Sequence, residues 1–264
     1  MGELPNAFRL PHLVAPGAWQ MSSDSALLEW VSRGSARLAF RTYSWDRPTL
    51  SLGRSEPYPD GWDEAALARE GIAIVRRPTG GSGVLHWEEL TFAAAASIPG
   101  PWGVGPRGFA NRVADALAEA LSLSGVPASR AESIEPGSAS GSAPGRRRAV
   151  PCFARIEPGE VRAKGYKVAG LASRFSRTGA LCHASVPLTA RHRDVARFRL
   201  GRSERADLDR HARSAGELLG RAPDPSALAG RLERAIEARF GVVLEEGDFR
   251  LVGIAEPALV AAAS

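Results

Sequence analysis

The sequence predicts an α+β fold in which a mixed, mostly antiparallel sheet is flanked by helices. Three observations carry this. Short runs with period-two alternation fill 36–45, 49–54 and 71–78, long helical repeats lie at 107–124 and 225–240, and a tight hairpin is written at 160–170. The 264 residues, 44% hydrophobic and 24% charged, have the balance of an ordinary globular chain long enough for a real core. A single domain over 1–264 is expected, strands first, with its helices packed on one side of the sheet.

The elements follow in order. SSDSALLEWVSR (22–33) has a Ser/Asp start, apolar Leu27, Leu28 and Val31 and a terminal Gly34, the marks of a short amphipathic helix. ARLAFRTYSW alternates through Leu38 and Phe40, TLSLGR through Leu50 and Leu52, and GIAIVRRP through Ile72 and Ile74. RGFANRVADALAEALSLS places Phe109, Val113, Leu117 and Leu121 on one helical face and stops at Gly125. SIEPGSASGSAPGRRR (133–148) is rich in Ser, Gly and Pro and predicts a mobile loop. EVRAKGYKVAG reads as a strand, a turn at Lys164-Gly165 and a returning strand, and GALCHASVPL as another strand. A weaker helix is expected around 205–220. Asp224 and Pro225 open a last one, with Leu228, Leu232, Ile236 and Phe240 on its face and Gly241 at its end.

Charge and cysteine usage narrow the function classes. A net charge of +5 and a pI near 9.8 favour an anionic partner, yet the arginines are spread without a recognisable nucleic-acid module. Only two of the 34 basic residues are lysines, Lys164 and Lys167, three apart, which marks a place where a compact ammonium is wanted. Two cysteines without C-x-x-C exclude a disulfide framework and a thiolate zinc site, and no histidine stands at metal spacing from acids, so no metal is expected. The N-terminus lacks a signal-peptide pattern and no run of 18 apolar residues occurs, which predicts a cytoplasmic protein away from membranes. His12, His192 and His211 are expected at the surface.

VRRPTGGSGVLHWEELTF (75–92) is the stretch richest in chemistry. Its glycines let backbone N–H groups face a carboxylate or phosphate, and Arg76 and Arg77 add charge, although neither the P-loop nor the dinucleotide pattern is present. The run R-R-x-T-G-G-x-G-V-x-H, Arg76 to His86, resembles the signature of the lipoate-protein ligase and octanoyltransferase superfamily, which includes the biotin protein ligases. QMSSDSALL, YSWDRPTLSLGR, ELTF, GYKVAGLASR and LCHASVPL resemble further family segments in the same order. The chain departs from the family pattern at Glu56, Tyr166, Leu171, Ser173 and Ala184. Losing two glutamines removes amide hydrogen bonds near the expected ligand, and Ala184 narrows a close backbone approach.

The resemblance implies a biotin/lipoyl protein ligase type of catalytic domain with a fatty or lipoyl chain held under the glycine-rich loop. It assigns substrate contacts to Arg76, Arg77, Thr79, Gly80, Gly81, Ser82, Gly83, His86, Gly170 and His183, although a strand histidine satisfied within the fold is the commoner state of His86 and His183. Lys167 is placed on the family's amine position, its ammonium aimed at the acyl oxygen that gains charge. Two chemistries are implied. One is a ligase that needs ATP and Mg to make lipoyl-adenylate; the other needs no cofactor and moves octanoyl from acyl carrier protein, through a cysteine thioester, to a lysine of a lipoyl carrier domain of glycine cleavage H protein or E2 subunits. Cys152-Phe153, just upstream of Lys167, matches the nucleophile segment of one transferase branch, with Lys167 and Arg146 to Arg148 as the cations available to a thiol that ionises near pH 8.5. Many ligases carry an extra C-terminal domain, for which the residues after 244 are too few. Cys182 is expected as a core filler, and a non-catalytic acyl- or carrier-binding homologue is the remaining alternative.

Overall fold

The computed structural model describes residues 6–100, 104–132, 153, 156–200, 205–255 and 257. The loop expected at 133–148 and the nucleophile candidate Cys152 lie outside the described residues.

The reason for the architecture is visible in one strand. β6 (Glu89–Ser97), ELTFAAAAS, is buried at every position, and its alternate side chains divide between two cores. Phe92, Ala94 and Ala96 face one, Ala93 and Ala95 the other. Alanines on both faces let helices approach both sides of a central strand, as close packing demands. The main sheet has eight strands. Its edge is β11 (Glu245–Glu246), followed by β1 (Ala7–Ala15), β2 (Leu38–Trp45), β6, β10 (Gly179–Pro187), β9 (Tyr166–Phe175), β8 (Val161–Ala163) and β7 (Ala128–Arg130). β1 pairs in parallel with β11 and β2, and all other neighbours are antiparallel. A second sheet orders β4 (Ala73–Arg76), β3 (Thr49–Leu52) and β5 (Val84–His86) around Leu50, Leu52, Trp62, Leu67 and Leu85.

Helices α3 (Pro106–Leu123) and α6 (Pro225–Phe240) cover one face, with Phe109, Val113, Leu117 and Leu121 fully buried and Phe109 against Phe240 at 5.6 Å. Asp224 accepts the N–H of Ser226 at 3.0 Å and Gly241 ends α6 at φ 62°, the cap pair that the sequence spells. Helix α1 (Gly17–Ser32) lies on the opposite face, its Leu27, Leu28 and Val31 packed with Ala93, Ala95 and Leu181. The expectation of helices on one side is thereby corrected: a strand buried on both faces needs both covered. α1 also begins five residues before the expected start. Ser22, Ser23 and Asp24 are not a cap but lie within the helix, where Asp24 serves the buried Arg41.

Three further differences have local causes. β1 was not expected, because Pro11 and an irregular register between Leu10 and Leu13 erase its alternation. The helix expected at 205–220 is two, α4 (Arg205–His211) and α5 (Ala215–Leu219), because Ser214 and Glu217 form a capping box that restarts the chain. A six-residue helix, α2 (Glu64–Arg69), capped by Asp63, is too short to show periodicity. The expected hairpin is present: β8 turns into β9 through Lys164 at φ 50° and Gly165 at φ 81°, the two positive φ values of a tight primed turn.

Candidate functional site

The glycine-rich loop joins β4 to β5 and is held from beneath by its own arginine. Arg77 is buried and donates to the carbonyls of Gly80 (2.7 Å), Ser82 (2.9 Å) and Ser51 (2.8 Å). Gly81 sits at φ 95°, where a side chain is strained, and a Cβ there would meet Arg77 Nη2 at 2.7 Å. A Cβ on Gly83 would lie 2.4 Å from the Trp62 ring. Arg76 donates to the carbonyls of Gly53 (2.7 Å) and Glu56 (2.8 Å). Both arginines thus bind loop backbone, and Arg77 in particular shapes the TGGSG turn.

Two buried hydroxyl–imidazole–carboxylate chains anchor the ends of this loop. At its start, Thr79 Oγ1 lies 2.7 Å from His183 Nε2, and His183 Nδ1 lies 3.1 Å from Asp24 Oδ2. Asp24 also accepts from Arg41 (2.7 Å) and Tyr43 (2.9 Å), and Arg41 donates to Gln20 as well. At its end, Ser51 Oγ lies 2.7 Å from His86 Nε2, and His86 Nδ1 lies 2.7 Å from Glu89 Oε1, with the imidazole stacked on Trp45 at 4.0 Å. Since each carboxylate only accepts, the pattern assigns Nδ1–H to both histidines and leaves Nε2 to accept from the hydroxyl. Burial pushes Asp24 up, but the charge of Arg41 and the His183 bond outweigh it and hold the carboxyl below its usual range. Glu89 is also held low: burial opposes, and His86, Ser185 and Thr91 overcome it.

On the other face of the sheet lies a cavity of about 640 Å³, bordered by Gly81 and Ser82 of the loop, Ala110 and Asn111 of α3, Leu171 and Ser173 of β9, Cys182 of β10, and Glu160. Lys167 is fully buried, and its ammonium pairs with Glu160. Its backbone is fixed by β8 and by the N–H of Arg213, which donates to its carbonyl at 3.0 Å. The ring of Phe153 lies 5.2 Å from Nζ. Glu160 Oε2 accepts the N–H of Glu157 at 2.8 Å. Burial raises the Glu160 carboxyl and the Lys167 charge offsets this only in part, so it titrates above the ordinary range.

The structure therefore brings Gly81 and Ser82 to one cavity, sets Lys167 behind its wall through Glu160, and leaves His86, His183, Thr79 and Arg77 as supports of the loop. Gly170 sits in β9 opposite Ser185, and Gly80 and Gly83 complete the loop. Leu171 and Ser173, two departures from the family pattern, line the cavity, and Glu56, a third, closes its own turn by accepting the N–H of Gly53 at 3.0 Å. Cys182 is buried at the cavity floor, and burial, partly offset by a bond from Ser173, pushes its thiol up to about 11. His192 is a correction: expected at the surface, it is 1% exposed, donates from Nδ1 to Thr189 O at 3.1 Å, lies 5.1 Å from the Phe153 ring, and is held down at about 4 by burial. Asp24, Arg41, Glu89 and Glu160 were missed. The signal for Glu160 was its place seven residues before Lys167, immediately ahead of the neighbouring strand of the hairpin.

Comparison with known proteins gives a consistent lineage. A model of the lipoyl protein ligase A/B catalytic domain matches residues 16–236. An octanoyltransferase of Kyrpidia tusciae is 31% identical over 238 residues, 88% of this chain and 86% of that one. One of Geobacillus kaustophilus is 44% identical over 86 residues, where the alignment spans 33% of this chain and only 31% of the relative's length. Among solved structures, the bipartite lipoate protein ligase of Thermoplasma acidophilum superposes with a TM-score of 0.68 at 16% identity, covering 95% of this chain and 91% of that one. A lipoate-protein ligase A bound with ATP gives 0.69 at 18%, covering 94% and 93%; at such identities the likeness speaks for the fold alone. With a family model spanning most of its length and a relative aligned across most of both chains, the chain belongs to the lipoyl protein ligase A/B catalytic-domain family.

Proposed function

We propose that this chain is an acyltransferase of protein lipoylation. Cys152 takes an octanoyl group from acyl carrier protein as a thioester, and a lysine of a lipoyl carrier domain, on glycine cleavage H protein or an E2 subunit, takes it from there. The observation that carries this is the Phe153 ring 5.2 Å from Lys167 Nζ, because Phe153 adjoins Cys152 in sequence and the buried ammonium it meets is paired with Glu160 of the cavity wall. The octanoyltransferase relatives support the transfer of an octanoyl group. Thiol–thioester exchange replaces one C–S bond by another, with the thiol proton passing to the departing carrier sulfur, so neither ATP nor a metal cofactor enters. Lys167 stabilises the oxygen that gains charge. The reaction belongs in the cytoplasm, where acyl carriers are charged; among the described residues no helix is long and apolar enough to cross a membrane.

The test mixes the purified chain with octanoyl-carrier and follows intact mass. The parent gains one octanoyl group, Cys152→Ser gains none, and Lys167→Met slows transfer about 10²–10³-fold, the usual cost of removing one charge-stabilising donor. No adduct in the parent rejects the transfer. Pyrophosphate exchange from ATP with free lipoate would instead point to the ligase chemistry.

A further inference from the structure

Lys167 is fully buried behind the cavity, and the residue that links its ammonium to the cavity is Glu160. Glu160 borders the same cavity, is 7% exposed, and holds the ammonium through Oε1 while Oε2 takes a backbone N–H from Glu157. Each carboxylate oxygen has two acceptor sites, so both oxygens retain capacity for a donor arriving from the cavity. Two other carboxylates, Glu132 and Glu157, border the same cavity, and Glu160 is distinguished from them by its burial and its contact with the Lys167 ammonium. His86 and His183 are bonded at both ring nitrogens behind the loop, and Cys182 is a buried thiol on the floor.

We propose that Glu160 is the base of the second half-reaction, taking the proton that the acceptor lysine sheds as its nitrogen attacks the acyl thioester. The inference presupposes the acyltransfer proposed for this chain and adds the group that makes an amine reactive in it. The proton count closes as follows. The acceptor ammonium gives one proton to solvent and becomes an amine; as the C–N bond forms, a second proton passes to Glu160; as the C–S bond breaks, Glu160 returns it to the leaving sulfur. Lys167 stays protonated throughout, facing the carbonyl oxygen. The pairing has a physical logic, since a cation and a base side by side serve the two atoms of one bond, oxygen and nitrogen. The raised titration of Glu160 supports the assignment, because a carboxylate tuned upward accepts a proton from an amine with less loss of driving force.

The experiment separates a base from a support. The octanoyl adducts of the parent, Glu160→Gln and Glu160→Asp are prepared, and each is challenged with a lipoyl-domain lysine and with hydroxylamine, which is neutral at pH 7 and strongly nucleophilic without a base. For Glu160→Gln, transfer to lysine is expected to fall at least about 100-fold, the common scale of general-base loss, while hydroxylamine cleavage stays within about twofold of the parent. Glu160→Asp, which keeps a carboxylate one methylene further back, is expected between the two with lysine and unchanged with hydroxylamine. It also serves if the glutamine variant does not fold. Rates that fall together for both nucleophiles, or a lysine rate that does not fall, overturn the role of Glu160. A parent that forms no adduct removes the transfer chemistry itself, and a parent adduct with a silent Glu160 leaves that chemistry intact.

Discussion

On the α1 side of the sheet, Asp24 and Glu89 are buried carboxylates surrounded by donors: Asp24 by Arg41, Tyr43 and His183, Glu89 by His86, Thr91 and Ser185. On the cavity side, Glu160 is also buried but takes one ammonium and one backbone N–H. Donor count decides the outcome. Burial raises all three carboxyls, three donor residues reverse it for each of the first two, and the Lys167 ammonium with the Glu157 N–H does not suffice for the third. A carboxylate saturated with donors holds a loop; one left short of them is available to move a proton. In linkage terms the two sides oppose each other. Asp24 and Glu89 contribute stability above the ordinary carboxylate range that is lost as pH falls through their depressed values. Glu160, raised, favours the fold most at low pH, and that contribution is lost as pH rises through its folded value.

The comparison breaks first at Asp24. Asp24→Ala leaves the Arg41 guanidinium, 1% exposed, without its carboxylate, and such a loss costs about 3–5 kcal/mol. Urea unfolding at pH 7 is expected to show it, with Gln20 unable to compensate because it offers no charge. Lys167→Met is expected to cost less, since the orphaned Glu160 starts from a raised value and neutralises by taking a proton. Equal losses would erase the distinction between the two sides.

Much of this was legible beforehand, and the limits are instructive. The loop from Arg76 to His86, the hairpin at Lys164-Gly165 and the α6 caps are local patterns whose physics closes within a few residues. Lys167 was legible through its rarity. Asp24 was not, because a Ser-Ser-Asp run reads as a helix cap until the arginine it serves, seventeen residues away, is placed on an adjacent strand. His192 was misplaced for a similar reason: ARHRDVARF looks like a charged surface run, and only the packing of Phe153 and the 3₁₀ geometry of Ala190–Phe198 turn its imidazole inward. The one-sidedness of the helices failed because a run of alanines carries no alternation from which to read two cores.

His192 sharpens the comparison as a buried imidazole bonded at one nitrogen rather than two. Its folded value near 4 lies below the unfolded 6.5, so the unfolded chain binds the extra proton first and stability drops as pH falls from 6.5 toward 4. The full effect is roughly 3 kcal/mol on the scale of 1.36 kcal/mol per unit. His192→Phe is expected to flatten that part of the stability curve, measured by urea unfolding at half-unit steps, while leaving the acid limb below pH 4 that belongs to Asp24 and Glu89. An unchanged slope between 6.5 and 4 would show that the imidazole reaches solvent.

The smallest effect tests whether the doubly bonded histidines are supports alone. Ser51→Ala removes the hydroxyl that gives His86 Nε2 its donor, while the Ser51 carbonyl still receives Arg77 at 2.8 Å, so the loop keeps its main anchor. One buried acceptor is left unsatisfied, at a cost of about 1 to 3 kcal/mol. In a double-mutant cycle with His86→Phe, the two losses are expected to overlap by at least about 0.5 kcal/mol, because the second substitution removes the atom that the first had orphaned. Octanoyl-adduct formation at saturating carrier is expected to be unchanged in Ser51→Ala. Additive losses would mean that serine and histidine act separately, and a slowed adduct would move this chain of bonds from the scaffold into the chemistry.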